Sequence, residues 1–384
     1  MHPRITLSVG NFFFEISSII TIFIAIPYLS AFIGNTYASL VIAGGALISI
    51  IGFPMLPRYT ARFGAQTLAI FLALLQILVL LALAAVPNAI VAVIGIALII
   101  ALQPFLYYTF DLLLAAVTLQ KGMTGKVRTL FLTVGNVATA GAPLLMGALL
   151  LDTNDYSRVF LAVAVVIIPI VILFAGRKLP TGKPPKELHF GSALRTIFHD
   201  RNLSAVISAH FFLDLFYMWA PLYTPIYLHN VLGIPWGQLG WIFSVMLLPF
   251  VFVEYPAGVI SDRFHTDKKL MALGFIIMGS TFALVPIITT TTSVLIILAI
   301  LVSSRVGAAL VEAMTETHFF RSVSEQDSEE IAAFRDTWPF ANLIAPLTAS
   351  VFFFMSGFSL FFISTGVFLM VAGAIASLLI RTTY

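Results

Sequence analysis

Twelve long apolar runs, separated by short polar connections, constrain the fold of this chain more than any other feature. A membrane-spanning helix needs about 20 consecutive, mostly apolar residues. Runs of about that length lie near residues 7–33, 37–57, 66–86, 89–116, 127–150, 157–176, 203–229, 236–260, 269–288, 293–316, 329–353 and 357–380. Lipid offers no partner to backbone polar groups, so such runs must be helical. The sequence therefore predicts an all-α polytopic membrane protein with twelve transmembrane helices.

The composition agrees with this class and excludes others. Hydrophobic residues make up 60% of the chain and charged residues 10%, whereas a soluble domain is about 25% charged. The chain has no cysteine, which excludes disulfides and thiolate metal sites. The first run opens with Phe12, Phe13, Phe14 and Glu15 and has no clear small-residue cleavage site. It is therefore interpreted as a retained span rather than a signal peptide.

The connections between the runs alternate in charge, which predicts an orientation. Odd-numbered runs are followed by short connections such as GNT and PN, and even-numbered runs by basic ones. Two of the basic connections carry Arg58 with Arg62, and Arg263 with Lys268 and Lys269. Because cytoplasmic loops are enriched in Lys and Arg, both termini are expected in the cytoplasm. A multi-pass protein of the plasma or inner membrane is the predicted location.

One longer connection divides the runs into two groups of six. It contains the segment RKLPTGKPPKEL, which is polar and rich in proline. Segments of this kind form loops rather than helices. The predicted organisation is an N-terminal six-helix lobe at 1–176, a cytoplasmic linker at 177–202 and a C-terminal six-helix lobe at 203–384.

The two groups of six runs repeat one another. Glu15 matches Asp214 at an offset of 214 − 15 = 199 residues, and Asp111 matches Glu312 at an offset of 312 − 111 = 201. An APL tripeptide at 142–144 matches another at 345–347, an offset of 203. The offset grows smoothly, as small loop insertions would produce. Parallel six-span repeats are typical of pseudo-symmetric, two-lobed transporters.

A loop motif adds a resemblance to a known family. The segment GVISDRFHTDKK, from Gly258 to Lys269, resembles the G-x-x-x-D-R-x-G-[RK]-[RK] signature of the major facilitator superfamily. It departs from the signature at His265, where glycine is usual, and has extra residues, Thr266 and Asp267, before the lysines. The equivalent first-half loop keeps RFG at 62–64 but has Ala61 in place of the aspartate. The resemblance covers the whole chain and implies alternating access around a site between two lobes.

The resemblance also implies a cytoplasmic gate at this loop. Arg263 is expected to pair with an acid at the end of the tenth span, and Asp262 to cap the start of the eleventh, where the helix dipole favours a carboxylate. The residues assigned to the gate are Gly258, Asp262, Arg263, Glu316, Arg335 and Asp336, with Arg62 in the first half. In the first half Arg62 would pair with Asp111, although Ala61 cannot cap. The alternative is an incidental surface cluster.

Glu15 and Asp214 lie several residues inside the first span of their halves. A charge at bilayer depth costs at least about 2.5–3.5 kcal/mol and usually faces the interior of the helix bundle. A carboxylate removed from water is protonated more easily, so these two residues, together with Asp111, are predicted to couple transport to protons. His210 lies one turn before Asp214 and is predicted to relay a proton or hold the carboxylate. The alternatives are a structural pair bonded to nearby helix hydroxyls and an interfacial histidine.

Candidate substrate-binding residues lie on the same set of spans. Arg305, Glu312 and Glu316 are spaced by 7 and 4 residues, which places them on one stripe of the tenth helix. Arg305 could bind an anionic or hydroxyl-rich solute through its five-donor guanidinium, or it could only form a salt bridge with Glu312. The further candidates are Asn11, Tyr107, Tyr217 and Trp219, for some of which an interfacial aromatic belt is the alternative.

The absence of other motifs narrows the function. No GxxxxGK[ST] phosphate loop and no catalytic constellation occur, and topology explains the basic loops. The sequence therefore predicts a non-enzymatic, proton-coupled secondary transporter of a small organic solute, with no cofactor, no metal site and no nucleic-acid partner, acting as a monomer. A facilitated uniporter and a non-transporting sensor or scaffold remain as alternatives. Neither the solute nor the direction of transport is predicted.

Overall fold

The chain is helical throughout the part that the structure describes. The computed structural model describes residues 3–119, 124–151, 153–179, 200–264, 266–322, 334 and 337–380. Over these residues it contains no β-strand, and eleven of its helical stretches are long and apolar enough to cross a membrane. The first stretch, Pro3–Phe63, has 61 residues. At 1.5 Å per residue, this many residues correspond to about 90 Å of helix, roughly three times the hydrocarbon thickness.

A single glycine divides this first stretch into two spans. The helix α1, Pro3–Gly52, is interrupted at Gly34, which has φ 75° and ψ 166°. This backbone region is accessible essentially only to glycine. The predicted GNT connection is therefore a break of one non-helical residue. With two crossings in the first stretch, the structure agrees with the predicted count of twelve.

The remaining helices follow in the predicted order. The first half continues with a 3₁₀ turn at Phe53–Met55, α2 at Leu56–Phe63, α3 at Ala65–Ala85, α4 at Ala89–Leu119, α5 at Thr124–Leu150 and α6 at Tyr156–Ala175. The second half contains α7 at Arg201–Ile226 with a π-turn at Tyr227–Val231, α8 at Trp236–Leu247, α9 at Pro249–Phe252, α10 at Glu254–Phe264, α11 at Asp267–Ala283, a 3₁₀ turn at Val285–Ile287, α12 at Val294–Ser322, α13 at Thr337–Met355 and α14 at Phe358–Leu379. The predicted eighth span is thus three helices, and Pro249, which has no N–H to donate, begins the second.

The chain forms two compact units with the same internal packing. Unit 1 comprises Met1–Glu187 and Leu228–Ser244, and unit 2 comprises Leu188–Tyr227 and Val245–Tyr384. In unit 1, α1 packs on α4, α5 and α6, and α3 packs on α4 and α6. In unit 2, α7 packs on α12, α13 and α14, and α11 packs on α12 and α14. The repeat in the sequence is therefore also a repeat in helix packing.

Glycines bring α11 close to its two neighbours in unit 2. A Cβ on Gly279 would lie 2.5 Å from the carbonyl oxygen of Gly366 in α14. A Cβ on Gly307 of α12 would lie 2.5 Å from the backbone nitrogen of Met278. Small residues at such crossings allow the close backbone approach that stabilises helix pairs in membranes. These contacts fix α11 between α12 and α14.

Asn154 connects two loops inside unit 1. It lies between α5 and α6, and its Oδ1 accepts a hydrogen bond from Nε1 of Trp236 at 2.8 Å. Nε2 of His229, in the α7–α8 connection, lies 2.7 Å from the same oxygen. The rings of His229 and Trp236 pack with centroids 4.4 Å apart. One amide oxygen therefore holds the end of the α5–α6 connection against the start of α8.

Candidate functional site

Glu15 lies well inside α1 and meets α4. It is 12 residues, or about 18 Å, from the first residue of the helix. Its Oε2 accepts a hydrogen bond from the hydroxyl of Tyr107 at 2.9 Å. Asp111, one turn beyond Tyr107, interacts with Glu15 electrostatically, but two acids cannot neutralise each other. Among the described residues Glu15 has no ion-pair partner.

Asn11 and Gly135 lie beside Glu15 in unit 1, and with Glu15 and Tyr107 they form a polar cluster. Asn11 is 2% exposed, and its Nδ2 donates to the carbonyl oxygen of Phe131 in α5 at 3.3 Å. Its Oδ1 has no hydrogen-bond partner among the described residues. A Cβ on Gly135 would lie 2.8 Å from Nδ2 of Asn11 and 3.5 Å from Cγ of Glu15. The glycine therefore lets α5 close directly over the polar face of α1.

Asp214, the repeat partner of Glu15, has different surroundings. It is 3% exposed, and its Oδ2 accepts a hydrogen bond from Oγ1 of Thr337 in α13 at 2.6 Å. His210, one turn earlier, is buried and has Nδ1 3.3 Å from Oγ1 of Thr315 in α12. Its ring stacks on Phe334 at 3.9 Å between centroids. The carboxylate of Asp214 thus meets the fifth helix of its unit, whereas that of Glu15 meets the fourth.

A second tyrosine–carboxylate pair bridges the equivalent helices of unit 2. The hydroxyl of Tyr217 in α7 donates to Oε2 of Glu312 in α12. In unit 1 the acid is on the first helix and the tyrosine on the fourth, and in unit 2 these positions are exchanged. The sequence repeat did not reveal this relation, because it aligns residues of similar type and here the acid and the tyrosine exchange helices. Glu254 of α10 also interacts electrostatically with Glu312, so a further acid lies near this pair.

Arg305 is buried without the carboxylate that the sequence offered as a partner. It is 3% exposed, and its Nη1 donates to Oγ of Ser304 at 3.0 Å. The guanidinium carbon lies 4.8 Å from the ring centroid of Phe216 in α7. No ion pair joins Arg305 to Glu312 in the described part of the chain. Of the two alternatives for Arg305, the salt bridge is therefore not formed.

Trp219 contacts α13 and α14. It is 3% exposed, and its Nε1 donates to the carbonyl oxygen of Ala345 in α13 at 2.9 Å. Its ring packs against Phe361 and Phe368 of α14. These contacts give Trp219 a packing role among α7, α13 and α14.

The arginines assigned to the gate do not form the expected ion pairs. Arg62 is exposed, with its guanidinium carbon 5.1 Å from the ring centroid of Phe63. Arg263 is likewise exposed, 5.4 Å from the ring centroid of Phe264. Within the described residues neither makes an ion pair. In this part of the chain, the expected pairs of Arg62 with Asp111 and of Arg263 with a tenth-span acid are not formed, and each guanidinium lies over the neighbouring ring.

The other gate residues can be followed only in part. Arg335, Asp336 and the side chain of Asp262 lie outside the described residues. Glu316 is partly buried on α12 and interacts electrostatically with Glu254. A Cβ on Gly258 would meet nothing within 4 Å, so packing does not require a glycine there.

An ion cluster that the sequence did not reveal lies at the same junction. Asp267, the first residue of α11, has its Oδ2 2.7 Å from Nη1 of Arg321 and 3.5 Å from Nδ1 of His318, both on α12. Its Oδ1 accepts a hydrogen bond from Oγ of Ser261 in α10. These four residues, the Asp267 cluster, tie α10, α11 and α12 together. In the motif comparison Asp267 was only part of an insertion before the lysines, so nothing marked it.

Two helical units with one repeated packing pattern and polar pairs inside apolar helices define a polytopic membrane protein of the transporter type. The comparison with protein families agrees. The model of the Major Facilitator Superfamily matches residues 7–315 and 223–384. The chain therefore belongs to the Major Facilitator Superfamily, and the predicted all-α, two-lobed fold is confirmed.

Solved structures of transporters share this fold. A bacterial metal transporter is 14% identical with a TM-score of 0.72, and the alignment covers 99% of this chain and 98% of that chain. A bacterial homologue of the human lysosomal transporter Spinster, solved inward-facing and unoccupied, is 14% identical with a TM-score of 0.72, covering 99% of this chain and 96% of that chain. The nucleoside transporter NupG is 12% identical with a TM-score of 0.78, covering 98% of this chain and 100% of that chain.

These identities are low enough that the similarity shows the fold alone. No curated protein sequence matches the chain. The family nevertheless identifies the molecule as a multi-pass membrane transporter of some solute rather than an enzyme.

Proposed function

We propose that the protein is a proton-coupled secondary transporter of a small organic solute that works by alternating access. Glu15 is the principal coupling carboxylate, and Asp214 is its counterpart in unit 2. The protein acts as a monomer in the plasma or inner membrane. Both termini lie in the cytoplasm, which the distribution of basic connections supports. The proposal requires no cofactor.

The contact between Glu15 and Tyr107 carries the proposal. A carboxylate within a membrane-spanning helix is costly when charged and is a candidate functional group by default. Glu15 has the tyrosine hydroxyl, at 2.9 Å, as its neutral hydrogen-bond donor. No cation balances it in the described residues. Such a group can gain or lose a proton without breaking an ion pair, and each change alters the energy of conformations that expose it differently to water.

Asp214 supports the same role less directly. Its hydrogen bond from Thr337 stabilises the carboxylate against α13, and His210 lies one helical turn away on the same face. His210 in turn contacts Thr315 of α12. This arrangement connects a titratable pair on α7 with two other helices of unit 2, so a change of protonation can alter how these helices pack.

The test is solute accumulation in proteoliposomes under an imposed pH gradient. A panel of sugars, amino acids, nucleosides and organic acids is first screened by thermal stabilisation of the purified full-length protein. A stabilising compound is then used as radiolabelled solute. We expect accumulation by the wild type to follow the gradient, with about a tenfold limit per pH unit for one coupled proton, since 1.4 kcal/mol corresponds to a factor of ten.

Neutral substitutions test the coupling residues. Glu15→Gln and Asp214→Asn keep the size of each side chain and should abolish accumulation while leaving exchange across equal pH. Asp155→Asn is the matched control, because Asp155 pairs with the exposed Arg158 outside the two clusters. Undiminished accumulation by both variants would contradict proton coupling through these residues.

A facilitated uniporter is the second candidate, and one observation favours it. Glu15 in unit 1 and Glu312 in unit 2 each accept a hydrogen bond from a tyrosine hydroxyl, of Tyr107 and of Tyr217 respectively. The same oxygens could accept hydroxyls of a solute during binding. A uniporter equilibrates the solute at any pH gradient, so the accumulation assay separates the two functions.

A further inference from the structure

We propose that the transported solute carries an oxyanion, a carboxylate or phosphate group, that binds to Arg305 in unit 2. This inference rests on the proposed transport function and narrows its substrate class. It follows from the surroundings of the guanidinium, which leave a buried positive charge without a counter-ion in the described part of the chain.

Arg305 carries a charge that is costly to bury. Arg305 lies 11 residues after the first residue of α12 and 17 before the last, near the middle of a 29-residue helix. It is 3% exposed. A charge at this depth is expensive and occurs mainly where it pairs or binds a substrate or ion. The described groups that interact with it, a serine hydroxyl, an aromatic face and the phenol of Tyr217, are not carboxylates.

The acids nearest to Arg305 along α7 and α12 have other hydrogen-bond partners. Asp214, two residues before Phe216 on α7, directs its Oδ2 to Thr337 of α13. Glu312, two helical turns from Arg305, accepts the hydroxyl of Tyr217. A spacing of seven residues corresponds to about 10 Å along the helix, which is well beyond contact. The guanidinium therefore remains available to an anion that enters with the solute.

The guanidinium of Arg305 presents one edge that can bind an oxyanion. Nη1 is occupied by Ser304, and the Phe216 ring lies over the guanidinium. Nε and Nη2 make no hydrogen bond in the described residues. These two nitrogens form one edge of the guanidinium and point their N–H groups in parallel, which suits a bidentate contact to a carboxylate or phosphate. The aromatic face holds the plane of the group, so this edge is pre-oriented.

The experiment compares Arg305→Met with wild type as purified full-length protein. If Arg305 serves binding, the solute-free variant loses an uncompensated buried charge and gains apolar packing, so its melting temperature should rise by a few degrees. If Arg305 is structural, the melting temperature should fall. Arg158→Met is the matched control, since Arg158 has a side chain that is 63% exposed, and should leave the melting temperature unchanged. A fall in Arg305→Met overturns the proposal without any ligand being known.

The ligand arm uses succinate, inorganic phosphate and glucose 6-phosphate as probes, with glucose and ethanolamine as uncharged and cationic counterparts at equal ionic strength. Stabilisation of the wild type by an oxyanion, lost in Arg305→Met and kept in Arg158→Met, supports the proposal. Stabilisation by the counterparts alone, or equal stabilisation of Arg305→Met, refutes it. If Arg305→Met loses oxyanion binding but the wild type shows no gradient-driven uptake, this inference stands and proton coupling is rejected. If Arg305→Met shows normal gradient-driven uptake, this inference is rejected and proton coupling stands.

Discussion

The Asp267 cluster gives the sharpest stability prediction. Replacing Asp267 by asparagine keeps the shape of the side chain and removes the only acid of the cluster. Arg321, 2.7 Å from the carboxylate, then loses this charged contact, and His318 loses an acid 3.5 Å away. We expect the variant to unfold at a lower temperature, because α11 is no longer held to the end of α12 by charge.

The magnitude follows from the exposure of the partners. Breaking a fully buried ion pair costs about 3–5 kcal/mol, whereas an exposed pair contributes about 0–1 kcal/mol. The side chain of Asp267 is 8% exposed, that of His318 6% and that of Arg321 39%. Because water can still reach Arg321, we expect an intermediate loss of about 1–3 kcal/mol, which corresponds to several degrees in melting temperature.

The assay is thermal unfolding of the purified protein followed by the fluorescence of its four tryptophans. A thiol-reactive dye would report nothing, because the chain contains no cysteine. Lys269→Gln, an exposed change two residues away, is the control. A double-mutant cycle with Arg321→Gln should show that the second change costs less once Asp267 is neutral. Equal melting temperatures for Asp267→Asn and Lys269→Gln, or fully additive losses in the cycle, would refute the reasoning.

Three further predictions concern the pairs and contacts inside each unit. Tyr107→Phe removes the hydroxyl that donates to Glu15. A hydrogen bond to a charged group contributes roughly 1.5–3 kcal/mol, so the initial rate of gradient-driven uptake should fall about 10- to 100-fold. Gly279→Ala should lower the free energy of unfolding by about 1–3 kcal/mol through overpacking. Gly44→Ala is the control, because its Cβ would meet nothing within 4 Å, and thermal unfolding compares the two variants. Asn154→Ala leaves a histidine and a tryptophan without their shared acceptor and should cost about 1–3 kcal/mol, with a shift in tryptophan emission. An unchanged spectrum and melting temperature would contradict that account.

The spans and their repeat were predictable because both depend on properties that are local in the sequence. Lipid selects for length and apolarity, and neither requires knowledge of a neighbouring helix. The same holds for the break at Gly34, since a cluster of Gly, Asn and Thr between two apolar runs is a loop signal. The structure reduces the predicted connection to one residue. The depth of Glu15 and Asp214 in their helices was likewise visible, because depth follows from counting residues.

The partners of the polar residues were not predictable because they depend on how each helix is rotated. A helix that is apolar on every side has no amphipathic stripe to indicate which face meets which neighbour. The repeat suggested equivalent roles for Glu15 and Asp214, yet one meets α4 and the other α13. The spacing of Arg305 and Glu312 suggested a salt bridge, but Glu312 accepts a hydrogen bond from Tyr217 on another helix. Predicting either contact requires the relative rotation of two helices.

The exchange of partners between the units bears directly on mechanism. Each unit links its first and fourth helices by one tyrosine–carboxylate contact, but the acid is on the first helix in unit 1 and on the fourth in unit 2. The first helix of unit 2 then carries a separate acid, Asp214, held by α13, and its fourth helix carries Arg305. Unit 2 therefore has more charged groups in its interior than a strict repeat of unit 1 would provide. Under the proposed function the two units have different roles. Glu15, which has no cationic partner among the described residues, suits proton exchange. The guanidinium edge of Arg305 that makes no hydrogen bond in the described part of the chain suits solute binding.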